Sequence, residues 1–199
     1  KIQIGLQMSE ITGATVYKGL SAQQQDNFYE VFDKFIKEVK PERILEIGTS
    51  SGGTTMAIND MMCEIGKPNS VLTYEINEYS WYHLLRDAGI DLRLENVFTY
   101  EYDKLDENKK DEVVSYIQQP GITVILCDGG HKKGEFRELS KYLKVGDFIL
   151  AHDYSESVEY FQEHINGKIW NWCEITEADI REASEKNNLI RYMPEEFQS

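Results

Sequence analysis

Short apolar runs alternate with helical stretches along most of the chain, and that order limits the fold more than any other feature of the sequence. The runs are Arg43 to Ile47, Val71 to Tyr74, Leu92 to Val97, Ile122 to Cys127 and Phe148 to Ala151. Helical stretches fall between them at Thr54 to Ile65, Tyr79 to Ala88, Asp106 to Gln119 and Lys132 to Leu143. Gly66, Gly89 and Pro120-Gly121 close the first three. Ahead of them an amphipathic helix is expected from Ser21 to Lys40. There Phe28, Val31, Phe32, Phe35, Ile36 and Val39 recur at i, i+3, i+4 spacing and Pro41 is the stop. Strands alternating with helices at this spacing require right-handed crossovers, so the expected class is α/β, a doubly wound and mostly parallel sheet with helices on both faces.

Length and charge bound what such a fold does. A chain of 199 residues buries roughly 70% of its unfolded surface, enough for a core without metal or disulfide staples. The net charge is -14, and no Lys/Arg-rich run appears. Nucleic acid and anionic membranes are therefore excluded as mainly electrostatic partners. Cys63, Cys127 and Cys173 are widely spaced and form no C-x-x-C pair, which argues against a disulfide framework or a thiolate zinc site and favours a reducing, cytoplasmic location. No apolar run reaches the roughly 18 residues of a membrane span, and no signal peptide precedes the first motif.

In doubly wound sheets ligands bind beyond the carboxyl ends of the strands, so the residues just after each strand carry the chemistry. The first such window reads ILEIGTSSGGTT: Glu46 ends a strand, and Gly48, Thr49, Ser50, Gly52 and Gly53 lead into a helix. The glycines permit a tight turn and close ligand approach, and the helix start offers free N–H groups. A P-loop would need lysine here, and a dinucleotide loop would need glycine where Ser50 stands. The E/D-x-G-x-x-x-G spacing of S-adenosylmethionine loops matches Glu46, Gly48 and Gly52. Glu75 ends the next strand, placed to accept from two ribose hydroxyls, a device that NAD enzymes share. Asn96 is placed for an adenine amino group, with Val97 or Phe98 against the ring.

With these windows in place the chain resembles class I S-adenosylmethionine-dependent methyltransferases, and more narrowly the cephalosporin hydroxylase and rhamnosyl O-methyltransferase family. The resemblance runs from Val16 to Tyr154. It rests on Tyr17 and Gly19, on Asp26, on VKPERILEIGTSSGGTT, and on CDGGHKKGEFRELSKYLKVGDFILAHDY. It implies a Rossmann-like, seven-stranded sheet, an N-terminal extension over residues 1–20 serving as a lid or dimer contact, and one methyltransferase domain over residues 21–199. A homo-oligomer is compatible with that extension.

The resemblance also implies that Asp128 and the acidic pair after the next strand hold Mg²⁺ or Mn²⁺ beside the methyl donor, and that His131 is the base. Here the pair reads His152-Asp153, which weakens the case for Mg²⁺, an ion that prefers oxygen ligands. The implied metal ligands are thus Asp128, His152 and Asp153, and the implied catalytic residues are His131 and Asp128. The chemistry fits, because a hydroxyl is a poor nucleophile until a base or metal takes its proton. Trp170, Trp172 and Tyr160 are candidates for an acceptor pocket. Thr176 and Asp179 form a helix-start pattern, and LIRYM reads as a last strand. The expected function is O-methylation of a small, sugar-bearing acceptor. A non-methylating, hydroxylase-associated enzyme or a cofactor-binding protein on the same scaffold stands as the alternative.

Overall fold

The apolar runs become strands because nearly every residue in them can be buried on both sides of a covered sheet: Arg43–Ile47 and Thr123–Cys127 are buried throughout. The computed structural model describes residues 2–5, 15–24, 28–101, 103–168 and 170–192. In chain order its elements begin with β1 (Ile2–Gly5), β2 (Val16–Tyr17), β3 (Leu20–Ser21), α1 (Phe28–Val39), β4 (Arg43–Ile47) and α2 (Gly53–Glu64). Then follow β5 (Val71–Glu75), α3 (Tyr82–Asp87), β6 (Asp91–Leu94), α4 (Glu107–Gln118), β7 (Thr123–Cys127) and α5 (Lys132–Leu139). The chain continues through β8 (Phe148–Ala151), β9 (Tyr154–Ser155), α6 (Val158–Tyr160), β10 (Ile175–Thr176), α7 (Glu177–Lys186) and β11 (Ile190–Arg191).

The centre of the sheet runs β8-β7-β4-β5-β6, all parallel, with Ile47 level with Tyr74 on one side and Cys127 on the other. Beyond β8 the backbone of β1 and then β11 continues it in the same direction. The chain winds outward from β4 to β6 and then returns to β7 on the far side of β4. Strand order therefore reverses between β4 and β7, which is where a crevice opens in sheets of this kind.

One face is covered by α1, α2 and α3, whose Phe28, Phe32, Phe35, Met62, Tyr82 and Leu85 share one core cluster. The other is covered by α4, α5 and α7 through Val113, Ile117, Phe136, Leu139 and Ile180. Several expected bounds shift. The helix from Lys132 ends at Leu139 and tightens into a 3-10 turn at Ser140–Tyr142, and the strand near Leu92 starts at Asp91 and ends at Leu94. Within the N-terminal segment, Ile2–Gly5 joins the sheet, while β2 and β3 pair as a hairpin held to α2 by the Tyr17 hydroxyl, which donates to Asp60 Oδ2 at 2.7 Å. Asp26 lies outside the described residues. No helix among the described residues is long and apolar enough to cross a membrane.

Candidate functional site

The loop after β4 is fixed from below by a buried acid. Glu46 is 1% exposed, and its Oε2 accepts from the hydroxyls of Thr55 (2.6 Å) and Thr73 (2.7 Å). Burial pushes its carboxyl up to about 7, against the lowering effect of the two hydroxyls. Glu46 lines neither cavity of the site, so it braces the loop from beneath. Thr49 is buried beside it, its hydroxyl 2.6 Å from that of Thr73. Gly48 has φ +92°, and a Cβ there would overlap the carbonyl of Asp128, so only glycine lets the ends of β4 and β7 meet this closely. From α3, the Tyr82 hydroxyl and the Trp81 indole N–H donate to the carbonyls of Ser50 (2.6 Å) and Ser51 (3.1 Å).

Glu75 is at the end of β5, where the loop passes it. One of its oxygens accepts from the Ser50 N–H at 2.9 Å, and the other from the N–H groups of Ile76 (2.8 Å) and Asn77 (3.0 Å). With Ile76, Asn77, Asn96, Val97, Phe98 and Glu135 it lines a cavity of about 380 Å³. Asn96 is exposed and its Oδ1 accepts from the Phe98 N–H, whereas Val97 and Phe98 are buried. Glu135 is buried under the same cavity. It accepts from the N–H groups of Gly129 (3.2 Å) and His131 (3.1 Å), and burial raises its carboxyl to about 7.

A second cavity of about 300 Å³ adjoins the first, and Gly48, Ser50, Asp128, Lys132 and Glu174 line both. Its floor is a cluster of charges from three parts of the chain. Lys132 enters from the first turn of α5 with its side chain 6% exposed, and its ammonium lies 3.3 Å from Asp153 Oδ2 and 3.7 Å from Asp128 Oδ1. It also donates to the Gly129 carbonyl at 3.2 Å and to Glu174. His152 Nδ1 is 3.1 Å from Asp128 Oδ1 and 3.3 Å from Asp153 Oδ1. Trp170 donates its indole N–H to Asp153 Oδ1 at 2.6 Å. Asp153 holds φ +56°, a conformation that aspartate tolerates better than most residues.

Burial disfavours the charged form of His152, but the charge and hydrogen bond of Asp128 and then Asp153 outweigh it and raise the imidazole to about 10. Burial likewise acts to raise Asp153, yet the hydrogen bond and charge of His152, helped by Lys132 and Trp170, hold its carboxyl well below the usual carboxylate range. Glu174 arrives through the short β9–β10 pairing, because its N–H donates to the Asp153 carbonyl at 3.0 Å.

Two expectations bear on this cluster. His131 is exposed at the N-cap of α5 and lines neither cavity. The residue of that stretch which enters the site is Lys132, the first position of the helix. Its i, i+4 spacing from Asp128 was the available signal. Asp128, His152 and Asp153 do meet here, with His152 Nδ1 3.1 Å and 3.3 Å from the two carboxylates, while among the described residues no three His, Cys, Asp or Glu side chains group in an arrangement ready to hold an ion. The reason is local. His152 Nδ1 lies against one oxygen of each carboxylate, and the Lys132 ammonium faces the same oxygen of Asp128 and the other oxygen of Asp153. Trp170 and Trp172 line the second cavity, whereas Tyr160 does not and packs on His164.

No family model matches the chain, and no curated protein matches it. Solved structures of CmcI do. The Mg-SAM form is 14% identical at a TM-score of 0.51, covering 75% of this chain and 61% of that one. The apo-structure is 14% identical at 0.53, covering 77% and 61%. The chain has the fold of CmcI, at an identity that speaks for fold alone, and spans 61% of the length of those two chains.

Proposed function

We propose that the chain is an S-adenosylmethionine-dependent O-methyltransferase acting on a small acceptor that carries a sugar-like hydroxyl. The observation that carries this reading is the pair of adjoining cavities that share Gly48, Ser50 and Asp128. The first suits a nucleoside: a carboxylate at the end of β5 for a ribose diol, Asn96 and buried Val97 and Phe98 for a base. The glycine cradle at Gly48 also lets ligand approach the backbone. Likeness in fold to CmcI, whose solved forms include one with Mg-SAM, supports the same assignment.

The second cavity suits the acceptor, since Trp170 and Trp172 offer ring faces beside the carboxylates of Asp128 and Asp153. When bound, the cofactor supplies an electrophilic methyl on a sulfonium. Glu75 would hold the ribose, and Gly48 and Asp128, which line both cavities, would set the acceptor hydroxyl beside the methyl. The Asp128 carboxylate, which lines both cavities, would accept the hydroxyl proton as the oxygen takes the methyl from sulfur. Calorimetry with S-adenosylmethionine, S-adenosylhomocysteine and NAD tests the cofactor assignment, and preferential binding of NAD sinks it. Mass spectrometry of glycosides incubated with the protein and S-adenosylmethionine tests the acceptor class through a gain of one methyl group.

A further inference from the structure

We propose that Lys132 is the permanent cation of this site and that its ammonium keeps divalent metal ions out. The three carboxylates of the second cavity, on Asp128, Asp153 and Glu174, all face one point, and the Lys132 ammonium occupies it. A divalent ion bound by the same oxygens would sit about 2.0–2.6 Å from each. The ammonium is 3.3 Å from Asp153 Oδ2 and 3.7 Å from Asp128 Oδ1, so an ion at those distances overlaps or directly abuts a like charge. Lysine cannot retreat easily. Its side chain is 6% exposed, and the Gly129 carbonyl and Glu174 hold two of its three hydrogens.

The remaining donors of a metal site are also committed. His152 Nδ1 lies between Asp128 and Asp153, and the Trp170 indole N–H fills a further position on Asp153 Oδ1. The cluster is complete without an added ion. Each carboxylate has a partner supplied by the chain, and the second cavity opens onto an arrangement that already carries its counter-charges. Methyl transfer here, if the proposed function holds, needs no divalent cation; the metal exclusion itself depends only on the cluster.

Titration of the full chain with Mn²⁺, followed by electron paramagnetic resonance, tests the exclusion without any assay of activity. No stoichiometric Mn²⁺ binding is expected for the native chain. Lys132→Met removes the charge and retains bulk, so it should bind one Mn²⁺ at least about 100-fold more tightly than the native chain, and adding Asp153→Asn should abolish that gain. One-to-one Mn²⁺ binding by the native chain, lost in Asp153→Asn, overturns the proposal, and this arm needs no folded lysine variant. A folded Lys132→Met that gains no Mn²⁺ affinity overturns it as well, and Lys132→Gln repeats that arm where the methionine variant does not fold. Failure of S-adenosylmethionine binding, by contrast, would strike the proposed function and leave the metal titration unchanged.

Discussion

The two cavities share the seam between β4 and β7 yet are built by different means. The first is made of backbone: a glycine turn, N–H groups that fix Glu75, and an Asx-like turn at Asn96, all within a few residues of a strand end. The second is made of charge. Lys132, the His152-Asp153 pair and the stretch that carries Trp170 and Glu174 come from three parts of the chain and hold one another by ion pairs and hydrogen bonds. A backbone-built pocket depends on steric allowance and tolerates changes of charge around it. A charge-built pocket fails as a unit, because removing one member leaves buried charge without a partner.

The largest expected effect follows from that difference. Lys132→Met leaves Asp128 and Asp153 facing each other with only His152 between them, and should lower the free energy of unfolding by about 3–5 kcal/mol. Urea denaturation measures it. Added Mn²⁺ should restore part of the loss in the variant and nothing in the native chain, since only a species that binds the folded state stabilises it. A loss under about 1 kcal/mol would mean that solvent screens the cluster, and the contrast between the cavities would collapse.

On the backbone-built side the expected effect is on ligand affinity. If the proposed function holds, Glu75→Ala removes a charged acceptor for two ribose hydroxyls, so S-adenosylmethionine should bind about 30- to 1000-fold more weakly, or about 2–4 kcal/mol. Calorimetry reads this directly. Because Glu75 lines only the first cavity, the Mn²⁺ response of the Lys132→Met background should be the same with and without the change. An equal loss of both would show that the two regions act as one.

Beneath the glycine loop, Glu46 links the regions to pH. Its folded carboxyl is raised from 4.5 to about 7 by burial, so folding favours the protonated form. The stability this group supplies is therefore full below about 4.5 and is lost as pH climbs toward about 7. Glu46→Gln cannot ionise. The native chain should thus lose about 2 kcal/mol relative to the variant between about pH 5 and about pH 7, and Glu135, raised in the same way, titrates in both and cancels. Urea curves at several pH values check the slope. A difference that does not vary with pH would mean that Thr55 and Thr73 hold Glu46 as an ordinary carboxylate.

The same contrast governs what was legible in the sequence. The five central strands, the glycine loop and Glu75 are encoded locally, by apolar runs and glycines whose effect is felt within one turn. They could be placed without knowing what lies across the sheet. The pairing of Lys132 with Glu174 could not, because the two are separated by 42 residues in the chain and meet through the β9–β10 pairing. His131 and Lys132 illustrate the point within one dipeptide. Both follow the same strand, and only the helical phase of α5 determines that the lysine faces the cavity and the histidine stays at the exposed cap. The strand formed by Ile2–Gly5 was hidden for a related reason: four residues carry no period that distinguishes a short strand from a loop, and its pairing partners β8 and β11 lie far along the chain.

The smallest expected effect tests how far the charge-built region extends. α7 begins with a capping box, in which the Thr176 hydroxyl donates to Asp179 Oδ2 at 2.8 Å and the Thr176 N–H donates to the same oxygen at 2.9 Å. Asp179 also pairs with Lys133 of α5 at 3.0 Å, so the cap ties the start of α7 to the helix that carries Lys132. Thr176→Ala should cost about 1 kcal/mol, the ordinary value of a lost N-cap, read as a fall in thermal midpoint. Thr176 lies two residues from Glu174, on the strand that delivers it to Lys132. If the cluster depends on that delivery, the substitution should also let Mn²⁺ compete weakly in the native lysine background while leaving S-adenosylmethionine affinity unchanged. If instead the β9–β10 backbone bonds suffice, stability falls and neither ligand responds, and the charge-built region ends at Glu174.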